Sequence, residues 1–173
     1  ARRAAATVLG HLSARAGNRK QVLEEEDVLG ALSALIEASA ADVGCARAAC
    51  LALSVLSSEA DDFSALPDGA LAQLVHWLGA TDAALVRSVA ACVANVANAD
   101  DKALKQRLVD LGALERLVAL LRDHRGDRDV LAGATMALAN LTVHGAHQLR
   151  FLQGRDALPA LLRVAEQPQQ DVE

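Results

Sequence analysis

Apolar residues recur along the chain at spacings of three and four, the pattern of amphipathic helices. One set of these segments aligns without gaps, over residues 27–36, 69–78, 112–121 and 156–165. A period near 40 residues is typical of helical-repeat solenoids, in which each unit buries its apolar stripe against its neighbours. The matching leucines are separated by 42, 43 and 44 residues: Leu29, Leu71, Leu114 and Leu158.

A second helix recurs between the aligned segments, and a shorter one precedes them over residues 18–24 and 102–112. Each unit therefore contains a leading, a middle and a third helix, in that order. Aspartates are candidate N-caps of the third helices: Asp42, Asp82, and either Asp127 or Asp129. The apolar stripes of the third helices are Ala5/Leu9/Leu12, Ala46/Ala49/Leu53/Leu56, Val86/Val89/Val93/Val96 and Leu131/Ala134/Leu138/Leu141.

Two passages resemble the leading and third-helix patterns of the armadillo family. Residues 18–36 read NRKQVLEEEDVLGALSALI, and residues 134–142 read ATMALANLT. The resemblance implies an all-α fold, a right-handed superhelix of stacked repeats, along nearly the whole chain. HEAT repeats are the nearest alternative, but they usually have two helices per unit.

The repeat pattern divides the chain into three whole units and two partial ones. We expect a lone third helix over residues 1–15, whole repeats over 16–60, 61–100 and 101–144, and a partial repeat over 145–173. Polar capping repeats are absent from this pattern, although solenoids normally need them. We therefore expect an interior part of a longer protein, with self-association through the uncapped ends as one alternative.

Composition supports helices and excludes several classes of function. Hydrophobic residues make up 53% of the chain but aromatic residues only 2%, which favours close-packed helices over sheets. A net charge of −5 argues against nucleic acid as a partner. Charges interrupt every apolar run before a membrane span is reached. Three cysteines without metal-site spacing indicate buried reduced thiols, and hence a cytoplasmic or nuclear protein.

The armadillo resemblance implies that the third helices line a concave groove. Asn95 and Asn140 lie about 200° around their helices from the apolar stripe, and His11 and Val55 are their equivalents. The resemblance implies that such an asparagine can hydrogen-bond the backbone of an extended peptide, using both its donor and its acceptor. The alternative is that the asparagine fastens the solenoid's own backbone.

In importin-α, a tryptophan four residues before the groove asparagine clasps basic side chains. Here those positions are Thr7, Leu51, Ala91 and Met136, so recognition of basic nuclear-localisation signals is not expected. We keep Met136 as a candidate groove residue. The single tryptophan, Trp77, belongs to a middle helix and is predicted to fill the core.

We call the position of Asn95 and Asn140, and of His11 and Val55, the reference position. Eight residues before it, three of the third helices carry an arginine: Arg3, Arg47 and Arg87. A ladder of guanidinium groups along one groove wall would suit carboxylates or phosphates on a partner. The alternative is that the arginines cover apolar surface and pair with acids of a neighbouring repeat. Further small or mildly polar groove positions are Ser88, Gly133 and His144.

No catalytic or cofactor signature is present in the sequence. The five histidines are scattered, no phosphate-binding glycine loop occurs, and His144 and His147, the one local pair, are predicted to be surface residues. We therefore predict a non-enzymatic scaffold or adaptor without a cofactor or metal, binding an extended or helical, acidic or phosphorylated protein segment. The alternatives are a structural or self-assembling segment and a regulatory module of a larger protein.

Overall fold

The computed structural model describes residues 1–25, 27–59, 63, 66–124 and 126–166. These residues form eleven α-helices. In chain order they are α1 (Arg2–Ala14), α2 (Ala16–Glu24), α3 (Val28–Ala38), α4 (Val43–Leu56), α5 (Asp68–Trp77), α6 (Ala83–Asn98), α7 (Lys102–Asp110), α8 (Ala113–Asp123), α9 (Arg128–Leu141), α10 (Gly145–Gln153) and α11 (Ala157–Ala165).

The helices stack in register from repeat to repeat. The third helices α1, α4, α6 and α9 pack against one another in that order, and each of the last three packs on its own middle helix, α3, α5 or α8. The middle helices also form contacts between repeats, from α3 to α5 and from α8 to α11. The leading helices are α2, α7 and α10. This arrangement confirms the predicted all-α solenoid, and the units of α2–α4 and α7–α9 each show a leading, a middle and a third helix.

Aspartate side chains start the three complete third helices. A carboxylate oxygen of Asp42 accepts a hydrogen bond from the N–H of Cys45 at 2.9 Å. Asp82 does the same for Leu85 at 2.8 Å, and Asp127 for Val130 at 3.2 Å. Each bond satisfies one of the backbone donors that a helix N-terminus leaves free. The structure thus selects Asp127, and not Asp129, as the N-cap of α9.

The core consists of small and aliphatic side chains that interlock along the stack. Trp77 is 6% exposed and lies in this core, as predicted for a middle-helix residue. Cys45, Cys50 and Cys92 are free thiols and all three are buried. Gly133 lies where α9 closely approaches the backbone of α6, since a Cβ there would meet backbone atoms of Ala90 and Ala91 at 3.0 and 3.1 Å. Small residues therefore set the spacing of the third helices.

The prediction of a leading helix in every unit is met in part. Helices α2 and α7 occupy the two predicted segments, but the leading segment of the 61–100 unit includes residues 61, 62, 64 and 65, outside the described part of the chain. None of the helices in the described ranges has the length and hydropathy that a bilayer span requires.

Candidate functional site

A shallow depression of about 420 Å³ crosses the exposed face of three adjacent third helices, α4, α6 and α9. Its apolar floor includes Leu51, which is 45% exposed, and Met136, which is 56% exposed. Between them lies Ala91, whose short side chain leaves the space open. The remaining lining residues are Ser54, Arg87, Ser88, Ala94, Asn95, Asp129, Ala132 and Gly133.

The two candidate asparagines fasten α6 to α4 and α9 to α6, and of the two only Asn95 is among the residues that line the depression. The amide nitrogen of Asn95 donates to the carbonyl of Ser54 at 2.8 Å and lies 3.2 Å from the Ser57 hydroxyl. The amide nitrogen of Asn140 donates to the carbonyl of Ala94 at 2.9 Å. These bonds correspond to the second alternative drawn from the sequence, in which the asparagine holds the solenoid's own backbone.

Arg47 and Arg87 form a repeated ion pair between adjacent third helices, and of the two only Arg87 is among the residues that line the depression. Nη2 of Arg47 lies 2.6 Å from a carboxylate oxygen of Asp82, and Nε of Arg87 lies 2.8 Å from one of Asp127. Each arginine thus reaches forward to the N-cap aspartate of the next third helix. The arginine side chains remain 49% and 48% exposed. Pairing with acids of a neighbouring repeat, the second alternative for this ladder, is therefore present in the structure.

These contacts stabilise the charged form of both aspartates. The hydrogen bond from the Leu85 N–H, assisted by Arg47, holds the pKa of Asp82 below its usual range. Desolvation acts to raise the pKa of Asp127, but hydrogen bonds from Val130 and Arg87 outweigh it, and the pKa is lowered. Each aspartate therefore joins a helix cap to an arginine of the preceding repeat.

The first rung of the arginine ladder differs from the other two. Within the described residues, Arg3 has no ion pair closer than 4.0 Å, and its guanidinium lies over Gly44 in the first turn of α4. His11 is exposed on α1 and does not line the depression. His144 is the N-cap residue of α10, in the turn after α9, so it also lies outside the depression.

The prediction that His147 is a surface residue is wrong. This residue is only 4% exposed, and its ring joins three helices. Nδ1 lies 2.8 Å from the carbonyl of Leu141 at the end of α9, and Nε2 lies 3.0 Å from Oε1 of Gln106 on α7. The Gln106 amide nitrogen in turn donates to Asp110 at 2.8 Å. A polar relay therefore ties α10 to the last complete repeat.

From the sequence, acids beside the arginines of the groove wall were allowed for as an alternative but not named. Asp129 lines the depression beside Arg87, and Asp82 and Asp127 already pair with the arginines. The wall therefore presents both signs of charge. The N-cap pattern already placed these aspartates at the start of each third helix, one repeat ahead of an arginine, so the signal was present in the sequence.

The described residues offer no cluster of three or more metal-binding side chains. Cys50 and Cys92 lie on the adjacent helices α4 and α6. Burial, with Cys92 nearby, raises the pKa of the Cys50 thiol well above its usual range, and burial raises the pKa of the Cys92 thiol to about 12. Both thiols stay protonated and shielded, which is the state of core residues and not of nucleophiles.

A scan of protein-family models gives no match, and no curated protein sequence matches significantly. Solved structures do match. A designed armadillo-repeat protein is 23% identical with a TM-score of 0.74, over 97% of this chain and 69% of that one. Computationally designed armadillo-repeat proteins for modular peptide recognition give 24% identity and a TM-score of 0.78, over 96% of this chain and 69% of the other.

A third similar structure is a designed armadillo-repeat protein in complex with the peptide (KR)4. It is 21% identical, with a TM-score of 0.70 over 97% of this chain and 68% of that one. Identities at this level establish likeness of fold alone. The predicted architecture is confirmed on this basis: the chain has the fold of an armadillo-type solenoid.

Proposed function

We propose that this chain is a non-enzymatic scaffold that binds a short protein segment across the third helices α4, α6 and α9. The observation that carries the proposal is the open depression whose floor exposes Leu51 and Met136 on the face of a peptide-recognition fold. Large apolar side chains that remain about half exposed beside a gap offer surface that a partner can cover.

Apolar contact supplies most of the affinity in this proposal. Burying a fully exposed large apolar side chain contributes roughly 1.5–3 kcal/mol, and covering the half-exposed Leu51 or Met136 contributes about half of that. An ion pair with a half-exposed arginine contributes only about 0.2–1 kcal/mol. Met136 and Leu51 therefore act as anchors, and a partner segment needs an apolar side chain that enters the space over Ala91.

The arginine ladder then adds a preference for an acidic or phosphorylated segment. Arg47 and Arg87 each use one nitrogen for the pair with an aspartate and remain about half exposed, so further guanidinium donors can meet a carboxylate or phosphate. Because those aspartates and Asp129 share the wall, the preference is modest. We expect Ser88 to contribute contact area and no strong selection.

Selection from a random peptide library displayed on phage tests the proposal. We expect the wild-type chain to enrich peptides that combine apolar with acidic residues. The enriched peptide, labelled with fluorescein, is then titrated by fluorescence anisotropy. Met136→Glu should weaken its binding by about tenfold or more, whereas Arg87→Gln should weaken it by about two- to fivefold.

Leu111→Glu is the matched control, because Leu111 is 37% exposed but follows α7, away from the depression. This variant should bind the peptide as the wild type does. Absence of any enriched peptide, or an enriched peptide that binds Met136→Glu with undiminished affinity, would overturn the proposed site. Enrichment of basic peptides such as (KR)4 would overturn the acidic preference and leave the apolar anchor standing.

A further inference from the structure

The uncharged polar side chains of the depression donate their hydrogens to the solenoid itself. The hydroxyl of Ser54 donates to the carbonyl of Leu51 at 2.9 Å, and that of Ser88 donates to the carbonyl of Ala84 at 3.1 Å. The amide nitrogen of Asn95 carries two N–H groups, and a carbonyl and a hydroxyl of the preceding repeat lie 2.8 and 3.2 Å from it. These three side chains therefore have no hydrogen left to donate to a bound segment.

The floor of the depression offers no hydrogen-bonding side chain. Leu51, Ala91 and Met136 form it as one row across α4, α6 and α9, four residues before the reference position. The backbone groups of an extended segment on this row point sideways, toward the two walls. On the reference side, Ser54 and Asn95 can still accept hydrogen bonds but cannot donate them. The carbonyl groups of an extended segment thus find no donor on that side, and burying them unpaired weakens binding.

We propose that the segment bound in the depression is an α-helix that crosses α4, α6 and α9 with its apolar face on Leu51, Ala91 and Met136. This inference rests on the proposed function and identifies the conformation of the partner. A helix satisfies its backbone N–H and C=O groups internally. It therefore needs only apolar contact and one charged flank, which are what the lining side chains offer.

The spacing of the third helices gives the partner helix a sequence period. Packed helices lie about 8–10 Å apart, and an α-helix rises about 1.5 Å per residue. One step from a third helix to the next therefore corresponds to about six or seven residues of the partner, or nearly two turns. Side chains about seven residues apart share one helix face. One face of the partner can thus meet the three floor residues in succession.

The floor residues differ in size, and this assigns a different side chain to each contact. Leu51 and Met136 are 45% and 56% exposed and stand on either side of the short Ala91. A large apolar residue of the partner therefore enters over Ala91, and small residues about seven positions before and after it pass over Leu51 and Met136. The expected sequence pattern of the partner is small, large, small at this period.

The walls give the partner helix one charged flank. Among the described residues that line the depression, Arg87 is the only cation, and it remains 48% exposed while it pairs with Asp127. The opposite wall contains the uncharged Ser54 and Asn95. We therefore expect carboxylates on the side of the partner helix that faces Arg87, three or four residues from the large apolar residue. Asp129 lies on the same wall and confines this preference to positions beside Arg87.

A phage-displayed library of random peptides about 20 residues long supplies the probe, because a helix of that length spans all three third helices. An alanine scan of the enriched peptide identifies a central position that tolerates alanine, and proline is then placed at the same position. Proline breaks a helix that alanine favours. The proline peptide should therefore bind about a hundredfold more weakly than its alanine counterpart in fluorescence anisotropy. Circular dichroism should show a gain of helical signal when the alanine peptide binds.

Ala91→Leu tests the assigned register, because it fills the space that the large residue enters. It should weaken binding of the enriched peptide by about tenfold or more, and a peptide with alanine in place of the large residue should regain most of this loss. Ala103→Leu on α7 is the matched control, since Ala103 is exposed and lies outside the depression. It should leave binding unchanged.

Each alternative outcome has a distinct meaning. Equal binding of the proline and alanine peptides, or no gain of helical signal, overturns the helical partner. If Met136→Glu still abolishes binding in that case, the proposed site stands and only the conformation of the partner is wrong. Undiminished binding to Ala91→Leu overturns the placement of the helix across the floor row. Absence of any enriched peptide overturns the proposed function and this inference together.

Discussion

The close approach of α6 and α9 at Gly133 gives a prediction with a definite sign. An alanine Cβ at this position would lie 3.0 Å from the backbone carbonyl carbon and the Cβ of Ala90, and 3.1 Å from the backbone nitrogen of Ala91. Two of these three atoms are backbone atoms of α6, which is itself packed between α4 and α9. The contact therefore cannot be relieved by rotating a side chain.

Two opposing effects set the magnitude of Gly133→Ala. Replacing glycine by alanine within a helix favours the helix by about 0.8–1 kcal/mol. Overpacking against a rigid neighbour typically costs about 1–3 kcal/mol. We expect the steric cost to prevail, with a net loss of stability of about 1 kcal/mol, because α9 must shift away from α6 as a whole.

Gly10 provides a matched control on another third helix. An added Cβ there would meet the Ala48 carbonyl oxygen at 3.8 Å and the Ala52 nitrogen at 3.9 Å, which are ordinary van der Waals distances. Gly10→Ala should therefore stabilise the chain by up to about 1 kcal/mol through helix propensity. Urea unfolding followed by circular dichroism reports both changes. A Gly133→Ala variant stabilised as much as Gly10→Ala would refute the steric argument.

Three further predictions follow from the polar contacts and the thiols. Asp127→Asn, which keeps a capping oxygen, should lower the urea midpoint less than Asp127→Ala does. The pKa of Asp127 is lowered in the folded chain, so the charged carboxylate stabilises the fold. The difference in urea midpoint between wild type and Asp127→Asn should therefore be full at neutral pH and disappear as acid protonates the carboxylate. His147→Phe, which removes the ring nitrogens that lie against the Leu141 carbonyl and Oε1 of Gln106, should destabilise the α10 junction by about 1–3 kcal/mol by hydrogen exchange, whereas His76→Phe on the exposed face of α5 should not. Cys50 and Cys92 should resist alkylation at pH 8 until urea unfolds the chain, because burial raises the pKa of both thiols; rapid labelling of the folded chain would contradict this.

The features of the fold that depend on local pattern could be predicted from the sequence. The leucine period, the apolar stripes of α4, α6 and α9 and the capping aspartates each arise from spacing within one helix or one repeat, and the structure contains them. The stripe predicted for α1 is wrong, because Ala5 and Leu12 are exposed and the buried residues of that helix are Ala6, Gly10 and Ser13. The prediction of buried Cys45 and Trp77 succeeded for the same reason, since both follow an apolar helical pattern.

Features that depend on contacts between repeats were harder to predict. The sequence placed Arg47 and Arg87 in register but left their partners open, because pairing requires the distance from one third helix to the start of the next. It likewise left open which group Asn140 bonds. His147 was predicted wrongly, since its burial depends on Leu141 and Gln106 from two other helices, and no spacing within α10 indicates that enclosure.

Under the proposed binding function, the exposed face of the third helices divides its positions between two tasks. The reference asparagines and the arginines eight residues earlier bond the adjacent repeats, as in Asn140 to Ala94 and Arg87 to Asp127. A partner that competes for these groups must weaken the contact between two repeats, which makes them poor sources of selectivity. The residue four positions before the reference position makes no such bond to another repeat in α4, α6 or α9. Its side chain differs in size from helix to helix, as Leu51, Ala91 and Met136. Selectivity for a bound segment can change at that position without loosening the solenoid, so substitutions there should alter which peptides bind before they alter stability.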